Sequence, residues 1–533
     1  MVTAIMFRFT ALVLLALTLF STGSVAQVQS RKLPGIINHP SLSLYAPYMS
    51  FDGNALLFVS NDGEDGTLIV SYTSRETDWV QPVPLPKHIN HKLVYLRGFS
   101  LSADGKKMYY TAAKAPIIGG YDIMISELKG STWGEPQNFL MPINSKSNEG
   151  CPSLSADGSA IYFMRCDKMD QRLASGCKLF ASKKKPNGQW GEPAELPASI
   201  NTGNSQTPRI MADNETLIFS SDKMPGNKGG MDLYMSKLVA GTWSAPVALD
   251  FTNSTRDDQF VSVAALGRYL LRDMPGSRNN NELVEFLIPP NVKPRGVMKV
   301  EGYVKDPENA AVSSYISVID RTNNKRVYSG RPGADGAYMF YLPEGTVYEF
   351  DVDPEKSSWT FFSKAFDLTG DKIAQRERVN ATLRQPVAGD EIALDMVTAK
   401  AGGTTHDAAA SDELKRLVRV SKANPDLMFE IQVSMAGYSE DSVQINPDLT
   451  EVRLDTIKLQ PVATDSTLAP VQDTLKIRKV YHNDRTPAIA QQIMTFITSQ
   501  GGNAQQFAYK TAALPATVPD EKKIGVKCVL KEK

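Results

Sequence analysis

Short apolar runs separated by turn residues recur through the first half of the chain. The tetrapeptide Ser-Ala-Asp-Gly ends at Gly105 and again at Gly158, and each copy precedes a strand-like run, at residues 107–111 and 160–164. An Asp-Gly turn between such runs is a strong β-hairpin signal. The pattern therefore predicts short antiparallel strands. Related turns end at three further positions, Gly53, Asn214 and Gly267.

A second motif, Trp-x-x-Pro, recurs in the same region. An Ile-Asn or Thr-Asn pair follows each copy, and the same element stands alone near the start, at residues 33–38. The last unit, 264–289, lacks its Trp strand, so the N-terminal segment is expected to supply that strand and close a ring without exposed edges. We therefore predict a five-bladed β-propeller over residues 30–290. The motif begins at Trp79, Trp133, Trp190 and Trp243.

These repeats resemble the WD40-like PD40 family, the propeller type also seen in the periplasmic protein TolB. The resemblance rests on the turns at 102–105 and 155–158 and on the apolar-aromatic runs after them. Propellers host binding and catalysis alike, so the resemblance implies a fold and not an activity. The repeated aromatic residues are interpreted as packing between blades. Asp122 and Asp232, which share one phase of the repeat, are interpreted as turn caps and not as metal ligands.

The middle of the chain alternates apolar and polar residues with the period of a half-buried strand, as in residues 297–306. Turns at 333–336 and 343–345 separate further strands, which predicts a β-sandwich of about 90 residues. The segment 296–395 resembles the carboxypeptidase regulatory-like domain, a transthyretin-like sandwich. The resemblance implies a spacer or a protein-interaction module.

The last segment changes to an α/β pattern. Ser411 precedes an apolar stripe that predicts a helix, strand-like residues 428–435 follow, and a second helix is predicted near 487–499. This order, with the phrase at 412–432, resembles the OmpA-like domain, which holds the peptidoglycan stem peptide in the periplasm. The resemblance implies a C-terminal α/β OmpA-like domain over 411–533, with an insertion at 440–479.

This OmpA-like domain is degenerate at the positions that hold the ligand in the family. Ala436 stands where the family has the Asp that binds the ligand's ammonium group, and Ile489 stands where it has an Arg. Loss of the acidic partner leaves a desolvated ammonium unpaired. The resemblance leaves Arg485, Lys522 and Lys523 as residues that could contact peptidoglycan. A structural or partner-binding role is the alternative.

The first 26 residues have the pattern of a secretory signal peptide. Arg8 precedes an apolar run at 10–20, and small residues lead to a cleavage position after Ala26. The run is shorter than the ~20 residues that a transmembrane helix requires. The segment predicts export to the periplasm, with a buried first helix as the alternative.

The four cysteines predict one hairpin disulfide. Cys166 and Cys177 flank a loop between two strand-like runs, so they can face each other in an oxidising compartment. Cys151, on the preceding strand, is a competing partner. Cys528 is expected to be a buried free thiol.

The charges balance, with 58 Lys and Arg against 58 Asp and Glu. A neutral chain lacks the basic field that broad nucleic-acid binding requires. No Gly-x-Ser-x-Gly, Cys-x-x-Cys or His-Glu-x-x-His motif occurs. The sequence therefore predicts no catalytic residue, no metal site, no cofactor and no transmembrane span in the mature chain.

The order of propeller, sandwich and OmpA-like domain resembles Bacteroidota periplasmic envelope proteins associated with type IX secretion. The resemblance implies a non-enzymatic envelope scaffold that binds proteins through its propeller face. Peptidoglycan, the secretion apparatus and the outer membrane are the further associations that it implies. The alternative is a propeller-based glycan-processing or hydrolytic enzyme with its residues scattered over several blades.

Overall fold

The computed structural model describes residues 29–533 except 64–67, 91–97, 114, 171–172, 371–375, 400–402, 405–407, 447, 460–473 and 516–522. The predicted signal segment 1–26 lies outside these residues. The described part is mainly β, as predicted, with two α-helices, α1 (Ala408–Ala423) and α2 (Thr486–Ser499). Neither of these helices is long and apolar enough to cross a membrane. The chain divides into two compact units between Val297 and Met298.

The first unit has a β-propeller-like fold. Its described residues form five antiparallel sheets of four or five strands and one two-stranded hairpin, β13–β14. We number these sheets 1 to 5 in chain order, beginning at β2, β6, β11, β17 and β22. The strands are β1 (Ser30–Lys32), β2 (Leu44–Met49), β3 (Ala55–Ser60), β4 (Ile69–Ser74), β5 (Val83–Pro84), β6 (Phe99–Leu101), β7 (Lys107–Ala112), β8 (Asp122–Lys129), β9 (Thr132–Trp133), β10 (Gln137–Asn138), β11 (Asn148–Leu154), β12 (Ala160–Cys166), β13 (Lys168–Met169), β14 (Ala174–Ser175), β15 (Lys178–Lys183), β16 (Ala194–Glu195), β17 (Ser205–Ile210), β18 (Thr216–Ser221), β19 (Asp232–Val239), β20 (Thr242–Trp243), β21 (Val247–Ala248), β22 (Ser262–Val263), β23 (Tyr269–Pro275) and β24 (Asn281–Leu287).

The N-terminal strand β1 belongs to sheet 5. It pairs antiparallel with β24, with Ser30 opposite Phe286. The Asn-ended element at 33–38 is a turn that follows this strand, where the sequence pattern suggested a strand. Pro34 supplies no N–H group for a ladder, and its carbonyl instead accepts the N–H groups of Ile37 and Asn38.

Each Asn-ended turn is fixed by its asparagine side chain. The Oδ1 atom of Asn144 accepts the N–H of Ile123 at 2.9 Å, and its Nδ2 atom donates to the carbonyl of the same residue at 2.8 Å. A side-chain amide that bonds both groups of one residue replaces a missing ladder pair. The same double contact occurs in all five sheets, made by Asn38 on Leu283, Asn90 on Val70, Asn144 on Ile123, Asn201 on Leu179 and Asn253 on Leu233.

Aromatic residues pack between neighbouring sheets. Trp243 of sheet 4 meets Tyr162 of sheet 3 edge-on, with ring centroids 6.0 Å apart. Trp190, near the end of sheet 3, meets Phe139 beside sheet 2 at 5.7 Å. All six residues of β18 are buried, because this strand is covered on both faces.

The second unit begins with two facing sheets. One contains β28, β25, β31 and β32, the other β27, β26, β29 and β30. Alternate residues of β28 point into a shared core that includes Phe340, Phe350 and Val318. These strands are β25 (Val297–Lys305), β26 (Ser314–Asp320), β27 (Lys325–Gly330), β28 (Ala337–Pro343), β29 (Val347–Pro354), β30 (Phe362–Asp367), β31 (Arg376–Arg378) and β32 (Ala381–Thr382).

A mixed sheet and the two helices complete the second unit. The sheet order is β33-β39-β34-β38, and α1 and α2 contribute Leu417 and Ile493 to its core. Strand β33 lies inside the segment 296–395 yet pairs with β39. The inserted segment adds a separate sheet of β35, β37 and β36. These strands are β33 (Glu391–Ala393), β34 (Leu427–Tyr438), β35 (Glu440–Asp441), β36 (Thr450–Leu459), β37 (Thr474–His482), β38 (Phe507–Pro515) and β39 (Lys523–Glu532).

Candidate functional site

The first strands of the sheets carry a repeated backbone irregularity. Ala46, Cys151, Thr207 and Phe260 all have positive φ, between 46° and 52°. In sheets 1, 3 and 4 the strand register shifts at this residue, as in a β-bulge. Bulges re-aim the neighbouring side chains and are common at functional sites. The residues around these bulges therefore form the first candidate site.

We call the first strand of sheets 1 to 5, as numbered above, the inner strand of each sheet. From a buried position on the inner strand of sheet 4, Arg209 contacts residues of, or next to, the inner strands of sheets 1, 2 and 5. Its Nε atom donates to the carbonyl of Val261 at 3.2 Å, and Nη1 donates to that of Phe99 at 3.0 Å. Its guanidinium lies 4.5 Å from the ring centroid of Tyr48. Burial lowers the pKa of Arg209, and burial raises the pKa of Tyr48 despite the nearby positive charge.

Serine hydroxyls occupy the position of Arg209 in three other sheets. The Oγ atoms of Ser100, Ser153 and Ser262 accept backbone N–H groups of the next sheet, at 3.1, 3.0 and 2.8 Å. Arg209 in sheet 4 and Tyr48 in sheet 1 stand at this position instead of a serine. Arg209 ties the inner strands together, and the thiol of Cys151 lies close enough to affect its pKa.

Two inner-strand carboxylates lie in buried ion pairs. Glu149 accepts a hydrogen bond from Arg165 Nε at 2.6 Å and another from the Ser145 hydroxyl at 2.5 Å. Asp258 contacts Arg272 Nη2 at 2.5 Å and accepts from the Ser254 hydroxyl at 3.1 Å. Both carboxylates are almost fully buried. A buried charge requires such partners, so each carboxylate is held rigidly in place.

Asp232 has much poorer hydrogen bonding than these two carboxylates. It is fully buried, and its Oδ2 atom accepts the N–H of Lys228 at 2.6 Å, while Oδ1 has no hydrogen-bond partner. Burial raises the pKa of Asp232, and the negative charge of Asp258 raises it further. A buried carboxyl group with a raised pKa near a paired carboxylate is an arrangement that enzymes use for acid–base chemistry.

A short loop lies against Gly229 and Gly230, which precede Asp232. A Cβ atom on Gly229 would lie 2.9 Å from the carbonyl oxygen of Thr255, and one on Gly230 would lie 2.4 Å from Oδ1 of Asp257. Both glycines have positive φ, so the loop depends on them. Thr255, Arg256 and Asp257 are themselves exposed to solvent.

The predicted peptidoglycan residues lie around the ends of β34 and α2. Arg485 precedes α2, and its Nη2 atom donates to the carbonyl of Asp448 at 2.6 Å. Ala436 pairs with Lys523 across the sheet, and Ile489 is buried in the core. Lys522 lies outside the described residues. The role of Arg485, Lys522 and Lys523 stays a prediction.

Three of the cysteines lie in or beside sheet 3, and Cys528 lies on β39 of the second unit. Cys166 and Cys177 form a disulfide with an S–S distance of 2.09 Å. Cys151 and Cys528 are buried free thiols, and burial raises the pKa of Cys528. Within the described residues, no group of three or more His, Cys, Asp or Glu could hold a metal ion.

Asp232 accepts the N–H of Lys228, which is the contact expected of the predicted turn cap. Its phase in the repeat does not indicate its raised pKa or its unbonded Oδ1 atom. Glu149 and Asp258 were overlooked, although each lies four residues after the serine of an Asn-Ser pair. Their arginine partners come from another strand, and no local sequence spacing marks that contact.

No family model and no curated protein matches the chain. Solved structures of similar fold include a putative TolB from Agrobacterium tumefaciens, 17% identical with a TM-score of 0.29, covering 56% of this chain and 90% of that one. Another is a thermostable family-43 glycoside hydrolase, 13% identical with a TM-score of 0.30, covering 48% and 97%. A third is the catalytic domain of a Coprinopsis cinerea GH62 α-L-arabinofuranosidase, 14% identical with a TM-score of 0.28, covering 46% and 90%.

These similarities concern the fold, and they correct one expectation. The prediction that the chain is not an enzyme is wrong, because glycoside hydrolases are prominent among the structures that share its β-propeller-like fold. The absence of these sequence motifs does not decide between an enzyme and a binding protein, because propellers host both.

Proposed function

We propose that this protein is an exported glycan-processing enzyme of the cell envelope. The observation that carries the proposal is the pair of buried carboxyl groups, Asp232 and Asp258, in contrasting surroundings. Asp258 is paired with Arg272, whereas burial and Asp258 raise the pKa of Asp232. The proposal also takes the five sheets as the blades of a propeller and residues 1–26 as an export signal.

Glycosidic bond cleavage needs one carboxylic acid and one carboxylate at the scissile bond. In this proposal Asp232 protonates the oxygen of the leaving group. Asp258 is the carboxylate that either attacks the anomeric carbon as a nucleophile or, as a general base, activates the water that attacks it. Arg272 and Ser254 hold Asp258 in place. Substrate reaches the pair when the exposed loop 255–257 moves away from Gly229 and Gly230.

The test is hydrolysis by the mature protein, with reducing ends as the readout. The substrates are purified peptidoglycan sacculi, neutral and acidic polysaccharides, and α- and β-linked aryl glycosides. We expect turnover of one substrate class, and we expect Asp232→Asn to reduce it about 100-fold or more, as loss of a general acid does. Asp122→Asn is the matched control, because Asp122 opens β8 as Asp232 opens β19.

A lack of turnover on all substrates would reject the proposed function. Equal turnover by wild type and Asp232→Asn would reject Asp232 as the acid. Asn has nearly the shape of a protonated Asp, so circular dichroism and the melting temperature should show an intact fold in both variants.

A further inference from the structure

Strand β38 is a long unpaired edge of the mixed sheet in the second unit. Within the described residues it pairs only with β34, so the N–H and C=O groups on its other side are open to a further strand. It has nine residues, whereas the opposite edge strand β33 has three. Leu514 is 58% exposed and Tyr509 46% exposed beside this edge. A long exposed edge is a template for pairing with another chain.

The surface around this edge is nearly uncharged. Lys510 is the single charged residue of β38, and α2, which packs on β34 and β38, has no charged residue among its 14. A surface helix normally carries charged side chains on its solvent side. A charged partner therefore finds little to complement here, whereas a second copy brings an equally neutral surface. The exposed positions of α2 are Pro487, Ala488, Gln491, Thr495, Thr498 and Ser499.

The sequence of β38 is complementary to itself when two copies pair antiparallel along their full length. Thr511 is the central residue, so it faces its own copy across a twofold axis, and Thr–Thr is a favourable cross-strand pair. Tyr509 faces Ala513 on the same side of the sheet, so a large side chain meets a small one. This register places no bulky residue opposite another on that side.

The other side of the strand follows the same rule. Ala508 faces Leu514, and Lys510 faces Ala512, so the two lysines of the pair do not meet. A lysine on an edge strand usually discourages pairing. Here the ammonium group stays in water beside an alanine, because all four of these residues lie on an exposed face.

We propose that a second copy of this chain pairs with β38 and forms a symmetric dimer. The two four-stranded sheets then join into one sheet of eight strands, four from each copy. The pairing also brings the uncharged α2 near its own copy, because α2 lies over the β34–β38 side of the sheet. These elements supply fewer residues than the roughly 20–30 a side of a standard interface, so we expect a dissociation constant in the micromolar range.

The first test is sedimentation equilibrium of the full mature chain at increasing concentration, which distinguishes monomer from dimer. Ala512→Lys places a lysine opposite Lys510 of the second copy at two symmetric positions, so we expect the dissociation constant to rise about tenfold. Ala512→Glu places a carboxylate there and should lower the constant about threefold. Ala393→Lys is the matched control, because Ala393 is an exposed alanine on the opposite edge strand β33.

Cross-linking tests the register of the two strands independently. Thr511→Cys should form a disulfide between copies under mild oxidation, because directly opposite residues have Cβ atoms about 4.5–5.5 Å apart. Ala393→Cys should not form one. A chain that stays monomeric at every concentration, or a dimer that Ala512→Lys leaves unchanged, would overturn the proposal. Ala512 is exposed, so circular dichroism should show an intact fold in both of its variants.

Discussion

Asp122 and Asp232 hold equivalent positions at the start of β8 and β19, but only Asp122 is fully hydrogen-bonded. Oδ2 of Asp122 accepts from Asn138 Nδ2 and from the N–H of Ile118, both at 2.6 Å, and its Oδ1 accepts the N–H of Gly119 at 3.2 Å. Asn138 pairs with the residue two positions after Asp122, and Ala248 pairs with the residue two positions after Asp232. Asp232 lacks two of these donors: Ala248 stands in place of the Asn138 amide, and the N–H of Gly229 does not bond Oδ1 as that of Gly119 does.

Asn138→Ala should remove one of the two donors that Asp122 has and Asp232 lacks. Removing the amide leaves the buried Asp122 with fewer donors, so the free energy of unfolding at pH 7 should fall by about 1–3 kcal/mol. Urea denaturation measures the loss. Asn187→Ala, in an exposed turn, is the control and should leave stability nearly unchanged. Equal stability of Asn138→Ala and wild type would show that the amide is dispensable.

Arg209→Met should lower the stability of the first unit. The substitution removes two hydrogen bonds, to Val261 and Phe99, and the cation–π contact with Tyr48. Met also removes a buried charge, which offsets part of the loss, so we expect a net fall of about 1–3 kcal/mol in the free energy of unfolding. Tryptophan fluorescence during denaturation reports on this unit, which contains Trp79, Trp133, Trp190 and Trp243. An unchanged midpoint would mean that the inner strands hold together without Arg209.

Glu413 should make the stability of the second unit depend on pH. It is fully buried, Oε2 accepts the N–H of Met396 at 2.9 Å, and Oε1 has no hydrogen-bond partner. Burial, together with the negative charges of Asp395 and Asp351, raises the pKa of Glu413 to about 8 from an ordinary value of 4.5, against the lowering effects of the Met396 N–H and of Arg416. The folded state therefore binds the proton more tightly than the unfolded state.

The sign of this linkage follows from the raised pKa. The contribution of Glu413 is complete below pH 4.5 and is lost as the pH rises towards about 8. At about 1.4 kcal/mol per pKa unit, we expect a loss of about 3–5 kcal/mol over that window. Denaturation followed by the fluorescence of Trp359 should show that Glu413→Gln removes most of this pH dependence. Glu391 is exposed, so Glu391→Gln should retain it. If the free energy of unfolding depends on pH equally in Glu413→Gln and in wild type, Glu413 is not the source of this pH dependence.

The repeat pattern predicted more of the fold than of the site. Turns such as the one ending at Gly105 and the Ile-Asn pairs are local signals, because each acts within a few residues of itself. The structure shows the asparagines as side-chain clamps in turns, where the sequence pattern suggested strands. The pairing of β33 with β39 joins residues more than a hundred positions apart, and no local pattern marks such a contact.

The candidate site depends on differences between copies of one repeat. Asp122 and Asp232 look alike in sequence, and their chemistry differs because Asp122 accepts from the Asn138 amide and from the N–H of Gly119, which have no counterparts at Asp232. The pairing of Asp258 with Arg272 is likewise visible only in three dimensions. The sequence therefore marked the position of Asp232 without revealing its unpartnered oxygen.

The most direct measurement of the central claim is the pH profile of glycan hydrolysis by wild type and Ala248→Asn. An asparagine at position 248 should donate to Oδ2 of Asp232, as Asn138 does to Oδ2 of Asp122, which favours the ionised form and lowers the pKa of Asp232. The account predicts that the basic limb of the profile moves to lower pH and that turnover at pH 7 falls. A basic limb that stays in place, with the fold intact, would contradict Asp232 as the proton donor.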